Sequence, residues 1–256
     1  MQRLPVRVHR RPDTEDGHLW CLLDTDTVVS QIIRQTGSFE ESLLAKALSY
    51  VREGSEVVDV GANCGAWTIP LACAAGDNGR VHAFELQRII YQQLNCNIFL
   101  NGIGNVHTHH APLGDVAGRI VSEPPDIDYY SGGANVGGGY IRSDPSLPID
   151  SRLAVKEMTL DSLELSDVSF IKIDVEGYEL NVLRGATDTI AACRPVIVYE
   201  HWGDTHPAAA SGYTNWQPAD KFEEFFRQHE YTLVNEPTGA DVFAYPNERL
   251  PYDSSD

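Results

Sequence analysis

The sequence predicts an α/β fold, a mostly parallel sheet with helices packed on both faces. Three observations lead there. Short apolar or β-branched runs alternate with helical patterns along most of the chain, as they do where crossover helices join parallel strands. The runs are apolar on both sides of the pleat, as strands covered twice must be. The first of them, "EVVDV" (56–60), passes through a glycine turn into a helical stretch, "VVDVGANCGAWTIPLA".

Residues 1–36 read as an N-terminal preamble or cap, in which the alternation of "HLWCLLD" (18–24) predicts a strand. Leu43, Leu44, Ala47, Leu48 and Val51 then recur with helical period, and Gly54 stops that helix. Strands are expected at 56–60, 80–86, 105–111, 168–174 and 194–200. Between Gly118 and Glu157 the pattern dissolves into Gly, Pro and Asp. A loop that long inside a domain is usually functional or disordered. Tyr129, Tyr130 and "GGANVGGG" favour a substrate lid at about 119–157 over a passive surface insertion. After Pro218, "ADKFEEFFRQH" predicts a helix, and "YTLV" (231–234) and "DVFAY" (241–245) a closing β-hairpin. Residues 37–256 are thus expected to form a single domain.

Asp and Glu number 37 against 19 Lys and Arg, for a formal charge of −18. Such a surface repels phosphate backbones and anionic lipid, so neither nucleic acid nor a membrane is expected as a partner. The five cysteines are scattered and never spaced Cys-x-x-Cys, against a disulfide framework or a structural zinc site. No apolar stretch follows the basic N-terminal residues and no run of 18 apolar residues occurs. A cytoplasmic setting without a signal peptide is therefore expected.

The glycine turn raises the functional question. A dinucleotide fold uses Gly-x-Gly-x-x-Gly to bring the pyrophosphate against a helix N-terminus. Here Gly61 and Gly65 frame the turn, and Asn63 stands where the middle glycine would be. A side chain there obstructs a pyrophosphate but leaves room for a smaller ligand at the same helix end. Asp59, just ahead, suits a positive group such as an amine or a sulfonium. Twenty residues beyond Gly65, Glu85 closes the next strand, where a carboxylate takes the two hydroxyls of a ribose. One ligand with a ribose, an amino-acid end and no phosphate is S-adenosylmethionine. Reading the segment as a tight strand-to-helix turn alone leaves the joint occurrence of Asp59, Gly61, Gly65 and Glu85 unexplained.

With those residues in place, the chain resembles the FkbM family of S-adenosylmethionine-dependent methyltransferases. "VVDVGANCGAWT" is similar to that family's cofactor loop, and "IKIDVEGYELNVLRGA" (171–186) to its most distinctive motif. "TLDSL" (159–163) precedes that motif and "RPVIVYE" follows it, while "GSFE" (37–40) and "GGANVGG" are similar to weaker motifs. The resemblance implies a Rossmann-like class I sheet of seven strands, the last antiparallel, and methylation of a hydroxyl on a sugar or small metabolite. It implies Glu40, Asp59, Gly61, Ala62, Asn63, Gly65, Glu85, Leu86, Ala111 and Asp174 as the cofactor-binding set. Near the adenine the family often has a small polar residue, where this chain has His110-Ala111-Pro112.

In open α/β sheets ligands lie beyond the carboxyl ends of the strands, where Asp59, Glu85, Ala111, Asp174 and Glu200 all fall. A sulfonium is already an excellent leaving group, so the protein's work is positioning and the exclusion of water. A base helps when the nucleophile is an alcohol. Asp174, Glu176 and His201 are the expected catalytic residues. Asp174 ends a buried strand, Glu176 follows at the start of a helix, and His201 belongs to the residue type suited to accept an alcohol's proton. Against these stand plainer roles: an acid favoured in a first helical turn for Glu176, and simple packing for His201. Glu179 is expected to face solvent, and Cys64 and Trp67 to pack. Asp174, Glu200 and His201 could compose a metal site, and His107 and His109 share a strand face, but no metal is expected. The reading is O-methylation of a small-molecule acceptor, with N-methylation as the alternative on the same fold. An NAD-dependent oxidoreductase, which wants a glycine at position 63, and a non-catalytic scaffold are alternatives of other classes.

Overall fold

Apolar runs become strands and amphipathic stretches become helices almost where their periods place them. The protein's structure is a computed structural model that describes residues 3–10, 17–123, 127–131, 135–138, 141, 153–201, 217–237 and 239–250. A two-stranded hairpin, β1 (Val6–Arg10) and β2 (Leu19–Leu23), leads into helices α1 (Val29–Thr36) and α2 (Glu41–Leu48). The α/β alternation follows as β3 (Glu56–Val60), α3 (Thr68–Ala75), β4 (Arg80–Phe84), α4 (Arg88–Leu100) and β5 (Val106–His109). Strands β6 (Ile120–Ser122) and β7 (Ala154–Lys156) pair at the foot of the long insertion. Then come β8 (Val168–Ile173), α5 (Glu179–Arg184), α6 (Thr187–Cys193), β9 (Val196–Glu200), α7 (Ala219–Gln228), β10 (Tyr231–Asn235) and β11 (Asp241–Pro246).

The main sheet has seven strands in the order β10-β11-β9-β8-β3-β4-β5. Strands β9, β8, β3, β4 and β5 run parallel, and β11 lies antiparallel between β9 and β10. This is the Rossmann-like class I arrangement, closing hairpin included, that the sequence leads one to expect. Every residue of β8 is buried, which is why it is mostly apolar on both sides of the pleat, Ser169 and Lys172 excepted. On one face of the sheet, Val57, Val81, Phe170 and Val198 pack against α2 and α3, and Ala83 packs on α4. On the other, Val58, Val60, Ile171, Ile173, Ile197 and Tyr199 pack against α5, α6 and α7.

The described part of the N-terminal segment is held by hydrogen bonds to itself and to the α/β elements. Asp26 caps α1 by accepting the backbone N–H groups of Val28 and Ser30, at 3.1 and 2.6 Å. Asn97 on α4 accepts from the N–H of Cys21 at 2.6 Å and donates to the carbonyl of Cys64 at 2.8 Å. One buried amide thus ties the hairpin to the glycine turn. Helix α1 escapes a periodicity reading because its eight residues bury only Val29, Ser30 and Ile33. Among the described residues, no helix is long and apolar enough to cross a membrane.

Candidate active site

The parallel strands deliver their carboxyl ends to one edge of the sheet, and a cavity of about 380 Å³ opens there. Its floor is the turn after β3. Gly61 has φ +77°, and a Cβ there would overlap the carbonyl oxygen of Asp174 at the end of the adjacent β8. The turn can lie this close to β8 only without a side chain. Gly65, with φ +93°, admits Leu94 of α4, whose Cδ1 would stand 2.9 Å from an added Cβ. Gly61, Ala62 and Asn63 line the cavity, whereas Gly65 sits behind it as a packing glycine. Asn63 itself takes the left-handed conformation at φ 48°, one that asparagine tolerates better than most residues.

Glu85 reaches the cavity from the end of β4. Its carboxylate accepts from the N–H of Asn63 at 3.0 Å and of Gln87 at 2.7 Å, so it also shapes the turn. Burial pushes its proton affinity up to a pKa of about 7, against the pull of those two N–H groups. Leu86, Ala111, Pro112 and Leu113 supply an apolar wall beside it. Part of the insertion returns over this wall: Asn135 and Gly137 line the cavity, and the Gln87 amide donates to the carbonyl of Gly137 at 3.1 Å. Val136 packs in a buried cluster with Leu23 and Ile90, and Tyr129 donates to Gln87 at 2.7 Å. About half of the segment expected to be a lid, including all of 142–152, lies outside the described residues.

The opposite wall is acidic. Glu40, Asp174, Glu176 and Glu200 all line it, with a single lysine, Lys172. Glu40, in a left-handed conformation just before α2, accepts from the indole N–H of Trp67 at 2.9 Å. Burial, then the charge of Asp174, lifts Glu40 to a pKa of about 7. Glu176 rises to about 8 through burial and the charges of Asp174 and Glu179. Crowded carboxyls of this kind release protons readily once a cation arrives.

Asp59 and His201, like Gly65, are not where the sequence places them. Asp59 does not reach the cavity; it is fully buried behind the turn. It accepts from the Thr68 hydroxyl at 2.6 Å and faces the Lys172 ammonium at 3.6 Å, so its positive partner is part of the protein. His201 continues the side of β9 that carries Ile197 and Tyr199, and that side faces α7. Its ring stands 4.6 Å from the ring of Phe222, with Nε2 3.1 Å from the carbonyl of Gln217. It is absent from the cavity lining, and residues 202–216 beyond it lie outside the described residues. The pleat therefore separates it from Glu200, and with it the base role expected of His201 loses its geometry.

Glu179 is likewise a correction, being buried and not solvent-facing. It accepts from the N–H groups of Val175 and Gly177, at 3.1 and 3.0 Å, and so closes the turn that carries Asp174 and Glu176. The turn needs such an acceptor because its N–H groups precede the helix and have no intrahelical partner. Among the described residues no cluster of His, Cys, Asp or Glu is arranged to hold a metal. His107 and His109 instead pack with His82, the ring of His109 lying 4.3 Å from that of Phe84. Cys64 and Trp67 are buried as expected, although Trp67 also lines the cavity.

Lys172 is the functional residue that sequence reasoning missed. A lysine inside the apolar run "VSFIKID" must be paired if buried, and Asp59 lies beside it in the parallel ladder. That coincidence was the available signal. Burial opposes its charge, yet Asp174, Asp59 and Glu40 together outweigh burial and hold the ammonium above the usual lysine range.

A family model described as "Methyltransferase FkbM domain" matches residues 59–233. The chain is 29% identical over 164 residues to the hexuronic acid methyltransferase AglP of Haloferax volcanii, a match covering 64% of this chain and 63% of that protein. Among solved structures, an FkbM methyltransferase from Methylobacillus flagellatus is 16% identical, with a TM-score of 0.47 over 79% of this chain and 50% of the other. A SAM-dependent methyltransferase from Aquifex aeolicus is 14% identical, with a TM-score of 0.45 over 81% and 88%.

Proposed function

The chain belongs to the FkbM methyltransferase family, whose methyl donor is S-adenosylmethionine, and on that premise we propose that it methylates a hydroxyl of a small sugar-like acceptor in the cavity described above. The observation that carries this reading is the cavity's two-sided lining: a glycine turn with Glu85 on one side, and a wall of carboxyls on the other. The donor brings a methyl group on a sulfonium, with a neutral thioether as leaving group.

The residues divide the work by position. Glu85 takes the ribose hydroxyls, while Leu86, Ala111, Pro112 and Leu113 form the apolar bed for the base. Gly61, Ala62 and Asn63 present backbone to the amino-acid end. Glu40 and Asp174 offer negative charge to the donor's cations. An acid pair there favours a ligand of positive charge over a dinucleotide, and Asn63 fills the place a pyrophosphate would need. Glu176 stands at the acceptor side as general base. Its carboxyl, raised to about 8 by burial and by its acidic neighbours, is basic enough to accept an alcohol's proton near neutral pH. The wall and the returning insertion exclude water around the reacting atoms.

Hexuronic acid, from the name of the Haloferax volcanii relative, is the first acceptor to test. The test is incubation with methyl-labelled S-adenosylmethionine and a panel of sugars and uronic acids, followed by mass analysis. Transfer of one methyl to an acceptor oxygen supports the reading. Transfer to nitrogen alone, or none to any acceptor while the donor binds, overturns the hydroxyl assignment.

A further inference from the structure

Lys172 is buried, yet it does more than fill space. From the penultimate position of β8 its ammonium donates to the carbonyl of Gly61 at 2.7 Å and approaches that of Val60 at 3.4 Å. It also faces Asp59 at 3.6 Å and Asp174 at 3.5 Å. The four contacts join three parts of the site: the glycine turn (Gly61), the strand before it (Asp59 and Val60), and the acid at the cavity wall (Asp174). We propose that Lys172 is a positioning residue that locks the glycine turn to the end of β8 and fixes the carboxylate of Asp174 toward the cofactor.

The geometry leaves few other roles. Asp59 has no opening to the cavity, and its Oδ1 has no hydrogen-bond donor within range, so the nearby ammonium is what balances its charge. A buried carboxylate without that cation would be strongly disfavoured. The alternation of β8 sends Phe170, Lys172 and Asp174 to one face and Ile171 and Ile173 to the other. Lys172 and Asp174 therefore project side by side, and Asp59 is directly across the ladder from the lysine. Lys172 also draws protons off Glu40, Glu85 and Glu176, three further carboxyls of the cavity. Its charge therefore bears on the whole lining.

This inference rests on the cofactor reading above, and the experiment separates the two. Binding of S-adenosylmethionine and S-adenosylhomocysteine to the wild-type protein is measured first; no binding of either would overturn the cofactor reading itself. Lys172→Met alone strands Asp59 and could unfold the chain, so the principal variant is Lys172→Met with Asp59→Asn, which removes the buried charges together. Asp174→Asn is made in both backgrounds. If Lys172 acts through Asp174, the double variant loses about tenfold or more in donor affinity at pH 7, and Asp174→Asn then adds little to that loss. The pH midpoint of donor binding also moves upward by about one unit, because the remaining carboxyls hold their protons more tightly. Lys172→Arg, which keeps the charge, should leave that midpoint in place even if affinity falls. A folded double variant with wild-type affinity and midpoint would overturn the proposal, as would full additivity with Asp174→Asn.

Discussion

Replacing Glu179 with alanine isolates the turn that carries Asp174 and Glu176. Glu179 is buried at 3% exposure, and one of its oxygens accepts from the N–H groups of Val175 and Gly177 at 3.1 and 3.0 Å. Alanine leaves both donors without an acceptor, at about 1–3 kcal/mol each. Against that, burial raises Glu179 to a pKa of about 7, so the ionised side chain is itself unfavourable in the fold. The separation from an ordinary glutamate corresponds to about 3 kcal/mol once the group is fully charged. The sign follows from linkage: a carboxyl with a raised folded-state pKa binds more protons folded than unfolded, so its contribution worsens as pH climbs from the ordinary value of 4.5 to about 7 and is level above that. Glu179→Ala should therefore destabilise by about 2–4 kcal/mol at pH 5.5 and by roughly 1 kcal/mol at pH 8.5. Glu179→Gln keeps an oxygen for the two N–H groups, loses the charge, and should gain on wild type as pH rises. Urea unfolding at the two pH values measures all three proteins. A loss for Glu179→Ala that is under about 0.5 kcal/mol at pH 5.5, or that grows with pH, would refute the reasoning.

Four further outcomes are expected. Glu85→Ala should weaken S-adenosylhomocysteine binding by about 1.5–3 kcal/mol by calorimetry, with an added loss of stability because the Asn63 and Gln87 N–H groups lose their acceptor; unchanged affinity in a folded variant removes the ribose assignment. Gly61→Ala should abolish donor binding and lower the thermal midpoint, since its Cβ would overlap the Asp174 carbonyl and its φ of +77° strains any side chain; a stable, binding variant would show the turn moves freely. His201→Ala should retain near-normal methyl transfer, because its ring packs on Phe222 outside the cavity, and a loss beyond tenfold with intact folding would return it to the site. Glu176→Gln should lower the rate of hydroxyl methylation about 10²-fold or more and remove a rise in rate through about pH 8 while leaving donor affinity within a few-fold; an unaltered pH–rate profile would assign the base elsewhere.

How far the sequence carries this picture depends on how local each feature is. Strand β3 was legible to the residue because its pattern and the glycine after it act within one turn. The closing hairpin was legible from two alternating runs and the turn residues between them. Helix α1 was not, since eight residues with three buried positions give too few repeats to read. The candidate site divides the same way. Glu85 and Asp174 stand at strand ends, and position along a strand suffices to bring them to the cavity, with Glu176 following in the turn after β8. Asp59 shares that position but faces inward, and the lysine that satisfies it lies 113 residues away in sequence on the neighbouring strand. His201 failed for a related reason: alternation along β9 sets which residues share a face, but which face holds the cavity depends on where α7 packs. Glu179 was misread because its partners are backbone N–H groups of its own turn, which leave no mark in composition.

The cavity's carboxyls offer the most direct measurement of the central claim. Glu40 and Glu85, each raised to about 7, must give up protons when a cationic ligand binds among them. Titration calorimetry of S-adenosylmethionine at pH 7, in two buffers of different ionisation enthalpy, counts those protons directly, with NAD as the control ligand. The expected result is tight S-adenosylmethionine binding with net proton release, affinity rising from pH 6 to 8.5, and no measurable heat from NAD. Binding of NAD without S-adenosylmethionine, or S-adenosylmethionine binding that takes up protons and weakens as pH rises, would contradict it.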